Sequence, residues 1–365
     1  MTGFLHVQRF ELPAPLPRPS LWIVLLLVLA SVCTGCTSRD ADVMTPPDPT
    51  FTNPVLGQGQ DPSIVVADGY YNFVQSGPDR SLTVRRSRSL LTLKDAPRTT
   101  VWTGGRDGTP CCELWAPDLA HIGSKWYVYF AADDGDNDHH RLYVIEADEP
   151  EGPYRFKGKL TTPDDKWAID GTVLQTPDDS LYFLWSGWPG DVNGEQALYI
   201  ARMTNPWTVV PPRVAISEPQ YEWEKAGAPP AVNEGPAVLL HQDRVYVTYS
   251  ASGCWTPDYK LGLLSADAGA DLLDPDSWHK SAEPVFQRND TAGVYGPGHN
   301  GFFKSPDGTE DWMAYHAVTD PAGNCGGERT VRVQPVTWNA DGRPDFGIPL
   351  DPDAKLSLPS GDGSE

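Results

Sequence analysis

Ala116-Pro117-Asp118-Leu119, followed after a turn by Lys125-Trp126-Tyr127-Val128-Tyr129-Phe130-Ala131, is a polar entry, an apolar strand and an aromatic strand ending in small residues. The same pattern recurs four more times. It runs Asp61-Pro62-Ser63-Ile64-Val65-Val66 to Tyr70-Tyr71-Asn72-Phe73-Val74, and Asp170-Gly171-Thr172-Val173-Leu174 to Leu181-Tyr182-Phe183-Leu184-Trp185-Ser186. The last two copies run Glu234-Gly235-Pro236-Ala237-Val238-Leu239 to Val245-Tyr246-Val247-Thr248-Tyr249-Ser250, and Gly298-His299-Asn300-Gly301-Phe302-Phe303 to Asp311-Trp312-Met313-Ala314-Tyr315-His316. Self-similarity at a period of tens of residues is the mark of a repeat architecture.

Further strand-like pieces lie between the copies, among them Arg141-Leu142-Tyr143-Val144-Ile145 and Ala197-Leu198-Tyr199-Ile200-Ala201. Two paired strands and two more per repeat make a four-stranded antiparallel sheet, and five sheets set radially shield one another's edges. The expected fold is therefore all-β, a single five-bladed β-propeller over residues 54–358. A two-sheet sandwich is the alternative, and five spaced copies of one strand pair speak against it. Composition agrees: 34 Gly and 36 Pro punctuate a chain with 13 Trp, 14 Tyr and 11 Phe, and no long segment has helical periodicity. A net charge of −21 disfavours nucleic acid, anionic lipid and polyanionic substrates, and no nucleic-acid partner is expected. A neutral partner fits, and Trp and Tyr faces are what a sugar ring packs against.

The N-terminus reads as an address. Arg9 and Arg18 precede the apolar run Leu21–Ala30, which is too short to span a bilayer comfortably and suits a signal-peptide core. The run ends in Val32-Cys33-Thr34-Gly35-Cys36, which resembles the bacterial lipoprotein signal, although Cys33 stands where Leu is usual. Residues 1–35 are expected to be removed, leaving Cys36 lipidated on the outer face of the membrane; plain secretion is the alternative. Residues 36–53 are polar and Pro-rich, a tether, and 359–365 a flexible tail. Cys111, Cys112, Cys254 and Cys325 remain, an even number in an oxidising setting, with three pairings open. Their spacing fits no common zinc pattern.

Asp61, Asp170 and Glu234 stand at the entries of repeats one, three and four. In a propeller such entries converge on one mouth of the axis, where like charges repel. That cost is one that acid–base chemistry on a glycosidic bond can use. Singly, each acid could be an ordinary turn residue. The acidic loop Asp133, Asp134, Asp136, Asp138 lacks EF-hand spacing and is expected to be solvated.

Together with these acids, Glu113-Leu114-Trp115-Ala116-Pro117, Ala168-Ile169-Asp170-Gly171-Thr172, Asn233-Glu234-Gly235-Pro236, Gly296-Pro297-Gly298-His299-Asn300 and Arg332-Val333-Gln334 resemble glycoside hydrolase family 43, in order and over nearly the whole chain after the tether. The resemblance implies a five-bladed propeller and hydrolysis with inversion. It implies Asp61 as general base, Glu234 as general acid, and Asp170 as the third acid that raises and orients Glu234. Trp115 and Arg332 would line the sugar site, with core packing and a surface position as their alternatives. His299, with His316 as second choice, would hold a structural calcium or sodium ion on the axis; no cofactor is needed for the chemistry. Ser250-Ala251-Ser252-Gly253-Cys254-Trp255, with the Asp170 and His299 motifs, look most like the arabinan-active branch, and no second β-sandwich is expected after the propeller. An exported monomeric α-L-arabinofuranosidase acting on neutral plant-cell-wall arabino-oligosaccharides is the expectation. An endo-arabinanase, a β-xylosidase and a non-catalytic surface glycan-binding propeller are its alternatives.

Overall fold

The second strand of every repeat is buried almost end to end: Lys125–Asp133 exposes only its first residue in part, and Asp311–Val318 none. A strand covered on both faces is apolar at consecutive positions, which is why these stretches are aromatic runs rather than clean alternations. In the computed structural model, which describes residues 49–363 apart from Asp107, five such strands each sit second in a four-stranded antiparallel sheet with sequential strand order. The expected propeller is what forms. Blade 1 runs from Ser63–Ala67 to Thr99–Thr103, blade 2 from Cys112–Ile122 to Arg155–Lys159, and blade 3 from Ala168–Gln175 to Thr208–Ser217. Blade 4 runs from Asn233–His241 to His279–Lys280 and blade 5 from Tyr295–Lys304 to Pro344–Asp345. The first strand of each blade touches the first strands of both neighbours, closing a ring about the axis.

Five apolar clusters hold that ring, each shared by two adjacent blades. Between blades 2 and 3 lie Tyr129, Phe183 and Trp185; between blades 3 and 4 lie Ile200, Val247 and Leu264. Blades 4 and 5 share Phe286 and Tyr315, blades 5 and 1 share Phe73 and Phe303, and blades 1 and 2 share Val84 and Phe130. Each buried large side chain contributes about 1.5–3 kcal/mol, so every interface is a core in its own right.

Closure of the ring corrects two expected boundaries. Thr50–Phe51 pairs with Leu356–Ser357, Phe51 packs against Trp312, and Asn53 exchanges two side-chain hydrogen bonds with the Val333 backbone. Residues 50–53, the end of the segment 36–53 read as tether, thus belong to the folded body. Polar, Pro-rich composition hid an edge strand of two residues. At the other end, Ser360 N–H donates to Glu310, Leu90 N–H donates to Asp362, and Gly363 N–H donates to the Arg88 carbonyl. Residues 359–363 are therefore docked across blades 5 and 1 rather than forming a loose tail. The signal segment 1–35 and Cys36 lie outside the described residues. Of the three open cysteine pairings, the structure has Cys111–Cys112 and Cys254–Cys325.

Candidate active site

The innermost strands of blades 2 to 5 are bulged near one end. Pairing skips between Ile169 and Thr172, between Glu234 and Ala237, between Trp115 and Asp118, and between Gly298 and Gly301. A residue in each bulge takes the left-handed conformation: Ala116, Asp170, Gly235 and His299, with Asp61 in the same place on blade 1. Bulges re-aim side chains, and left-handed backbone at non-glycine residues clusters at working sites. Here the device repeats around the axis and turns a set of side chains toward one mouth. Glycine is required at Gly235, because a Cβ there would lie 3.0 Å from the His299 ring on a backbone with φ +56°.

Asp61 and Asp170 share the bulge position, but Glu234 lies one residue earlier, in register with Ile169 and Trp115. The equivalence expected for all three acids therefore holds for two. The offset, with the longer side chain, lets Glu234 and Asp170 enter one pocket from different strand positions. That pocket, of about 550 Å³, is lined by all three acids together with Trp115, Trp167, Tyr259, His299 and Arg329.

Each carboxyl has a different environment. Burial alone would raise Asp61, but His299, Arg329 and His316 outweigh it and hold the group far below the usual carboxylate range. Arg329 Nη1 lies 3.2 Å and His299 Nδ1 3.3 Å from Asp61 Oδ1. His316 Nδ1 lies 3.2 Å from both the Asp61 backbone N and Asp61 Oδ1, and burial pulls the His316 ring down to about 4. Glu234 is pushed up to about 7, first by burial and then by Asp61, against the opposing hydrogen bond from Tyr259. Asp170 is raised by burial, by Glu234 and by Asp61, while its Oδ2 accepts the Gly235 N–H at 2.9 Å. One pocket thus holds a carboxylate that stays ionised into acid and a carboxyl that keeps its proton up to about pH 7, the pairing that acid–base catalysis requires.

The family model for glycosyl hydrolases family 43 matches residues 51–344. The chain belongs to family 43. It is 40% identical over 346 aligned positions to an extracellular exo-α-(1→5)-L-arabinofuranosidase of Streptomyces avermitilis, covering 90% of this chain and 70% of that one. A protein of the same description from Streptomyces chartreusis is 36% identical, covering 80% of this chain and 90% of its own. Among solved structures, the α-L-arabinofuranosidase from Lactobacillus brevis superposes with a TM-score of 0.77 at 38% identity, covering 83% of this chain and 98% of that one. Family 43 membership makes this protein an inverting glycoside hydrolase.

Within the family 43 frame, the structure places Trp115 in the pocket, stacked on the buried His140 ring at 4.0 Å. Arg332 is not there. It sits mid-strand between Val331 and Val333, paired in register with Tyr315 and 1% exposed. The arginine that reaches the acids is Arg329, three residues earlier at the strand entry, where it also donates to Gln60. Sequence reading also passed over Tyr259, whose hydroxyl donates to Glu234 Oε1 at 2.9 Å. Its one signal is the aromatic loop that follows blade 4's second strand.

His299 borders both the pocket and an axial channel lined by Ser63, Asp118, Thr172 and Asn300. Asp118 is held there by the Ser63 and Thr172 hydroxyls and pushed up to about 6 by burial. This oxygen-rich lining fits a hard, largely hydrated cation. Among the described residues, the His and carboxylate side chains close enough to share an ion are instead Glu113, Asp133 and His140. Of the acidic loop, Asp134, Asp136 and Asp138 are solvated as expected, whereas Asp133 is buried beside His140.

Proposed function

We propose that this protein is an exo-acting α-L-arabinofuranosidase that removes single L-arabinofuranose units from neutral α-1,5-linked arabino-oligosaccharides. The observation that carries the reading is the division of charge in one pocket, Asp61 held ionised and Glu234 held protonated. The names of the Streptomyces and Lactobacillus relatives support the sugar and the mode of attack.

In this reading Asp61 takes a proton from a water as it attacks the anomeric carbon, and Glu234 gives a proton to the departing glycosidic oxygen on the opposite face. Tyr259 occupies Glu234 Oε1 as a donor, so the transferable proton sits on Oε2. Burial and the Asp61 charge keep Glu234 protonated, and Asp170, anchored by Gly235 N–H, completes the acidic floor beside it. Arg329 fixes Asp61 as an anion, and Trp115 forms an apolar wall for the sugar. A calcium or sodium ion in the axial channel, held by His299 and waters, would brace the ring without entering the chemistry. The protein is read as an exported monomer, tethered through a lipid on Cys36.

Proton NMR of the first product from an α-L-arabinofuranoside tests the mechanism. β-Arabinose should appear before mutarotation; initial α-product would mean a covalent intermediate and would sink Asp61 as base. Chromatography of digests of linear arabinan tests the rest. Arabinose alone supports exo attack, oligosaccharides an endo-arabinanase, and activity only on xylosides a β-xylosidase.

A further inference from the structure

The pocket has one strongly exposed indole, and the chemistry described so far does not use it. Trp255 is 44% exposed and lines the same pocket as the three acids. It lies in the blade 4 loop between Arg244–Ala251 and Lys260–Asp267, four residues before Tyr259. An exposed tryptophan costs solvation free energy unless something covers it, and this one is held still rather than left to collapse. Its ring lies against two glycines. A methyl group added at Gly253 would overlap the indole, and one at Gly227 would lie 2.8 Å from Nε1. Trp255 Nε1 donates to the Gly227 carbonyl at 3.3 Å, and Thr256 N–H and Oγ1 both donate to the Gly253 carbonyl, pinning the turn. The neighbouring Cys254 is disulfide-bonded to Cys325, tying the loop to blade 5.

The position of the loop says what the indole faces. Glu234, on the first strand of blade 4, gives its proton to the leaving oxygen, so the departing residue lies on the blade 4 side of the pocket. Tyr259, which orients Glu234, belongs to the Trp255 loop. The other two indoles, Trp115 and Trp167, come from blade 2 and from the entry to blade 3.

We propose that Trp255 is the stacking platform for the leaving-group sugar, a specificity-determining residue that selects an arabinofuranosyl unit next to the bond being cut. A sugar presents an apolar C–H face to an indole, and a platform fixed in advance loses little entropy on binding. Gly227, Gly253 and the Cys254–Cys325 bridge are the devices that fix it. The inference rests on the arabinofuranosidase reading above.

The test compares α-1,5-arabinobiose with methyl α-L-arabinofuranoside, whose leaving group has no ring to stack. In Trp255→Ala, kcat/KM for arabinobiose should fall relative to the methyl glycoside by about 10-fold, the equivalent of about 1.4 kcal/mol, and mainly through KM. Trp255→Phe should recover most of the loss, and inhibition by free arabinose, which needs only the sugar pocket, should keep its Ki. Gly253→Ala, which displaces the indole without removing it, should shift the ratio in the same direction. An unchanged ratio in Trp255→Ala, or an equal loss on both substrates, overturns the platform while leaving the activity standing. A native enzyme that does not cleave arabinobiose at all would overturn the substrate reading and the platform with it.

Discussion

The hydroxyl of Tyr259 does two things to Glu234: it occupies one carboxyl oxygen and it favours the ionised form, opposing the burial that pushes the group up to about 7. Activity should therefore fall as pH rises through about 7, where Glu234 loses its proton, while Asp61 stays ionised far into acid. Tyr259→Phe removes the donor, so the alkaline limb of kcat/KM should move to higher pH although the maximum rate drops. A limb that stays in place would mean that another group sets it. The same shift has a consequence for stability. A carboxyl whose folded pKa is raised from 4.5 to about 7 contributes full stability below its unfolded pKa and loses it as pH rises through the folded one. Glu234→Gln removes this liability. At pH 8 the variant should be more stable by up to about 3 kcal/mol, a Tm gain on the order of 5 °C, shrinking towards zero near pH 4. Melting curves at the two pH values check the sign. Glutamine should also cost less activity on a substrate with a good leaving group than on arabinan, because protonation then matters less.

At the scale of elements, the repeated strand pair was legible because each aromatic second strand is squeezed between neighbouring blades, and burial on both faces leaves a continuous apolar run. The bulges left one trace, Gly171 in Ala168–Gln175 and Gly235-Pro236 in Asn233–His241, but the same residues read equally well as turns at a strand entry, so the one-residue offset of Glu234 from Asp170 went unread. Arg329 and Arg332 show the same limit. Both stand beside valine-rich strand sequence, and only the register tells that one ends at the mouth of the pocket and the other inside the sheet. The Asn53 clasp was missed because a closing contact between residues 280 positions apart carries no local pattern. It has a measurable weight. Asn53→Ala leaves both the N–H and the carbonyl of Val333 without their partner in a buried setting, at about 1–3 kcal/mol for an unsatisfied group. The expected loss of about 3 kcal/mol corresponds to a Tm drop on the order of 5 °C. Because Asn53 lies outside the pocket, kcat at a temperature well below the transition should be that of the native enzyme. A Tm unchanged by the substitution would show that the ring closes without the clasp.

For the whole molecule, the net charge of −21 acts over a wider range than any contact in the pocket. Neutral oligosaccharides approach without electrostatic cost, whereas arabinan side chains still attached to a galacturonan-rich backbone bring carboxylates towards an acidic surface. The repulsion reaches about a Debye length, roughly 8–10 Å at moderate salt, which is enough to act on a polymer backbone held at the mouth while its arabinose end enters. Free arabino-oligosaccharides should therefore be better substrates than pectin-attached arabinan at low ionic strength. Added salt should raise kcat/KM for the attached polymer and leave that for the neutral oligosaccharide nearly constant, because screening has nothing to remove in the second case. Measuring both substrates at low and high salt, with the protein from residue 37 onward, separates charge from access. If the ratio between them does not move with salt, the preference comes from the polymer's bulk at the rim of the pocket, and the acidic surface has no part in choosing the substrate.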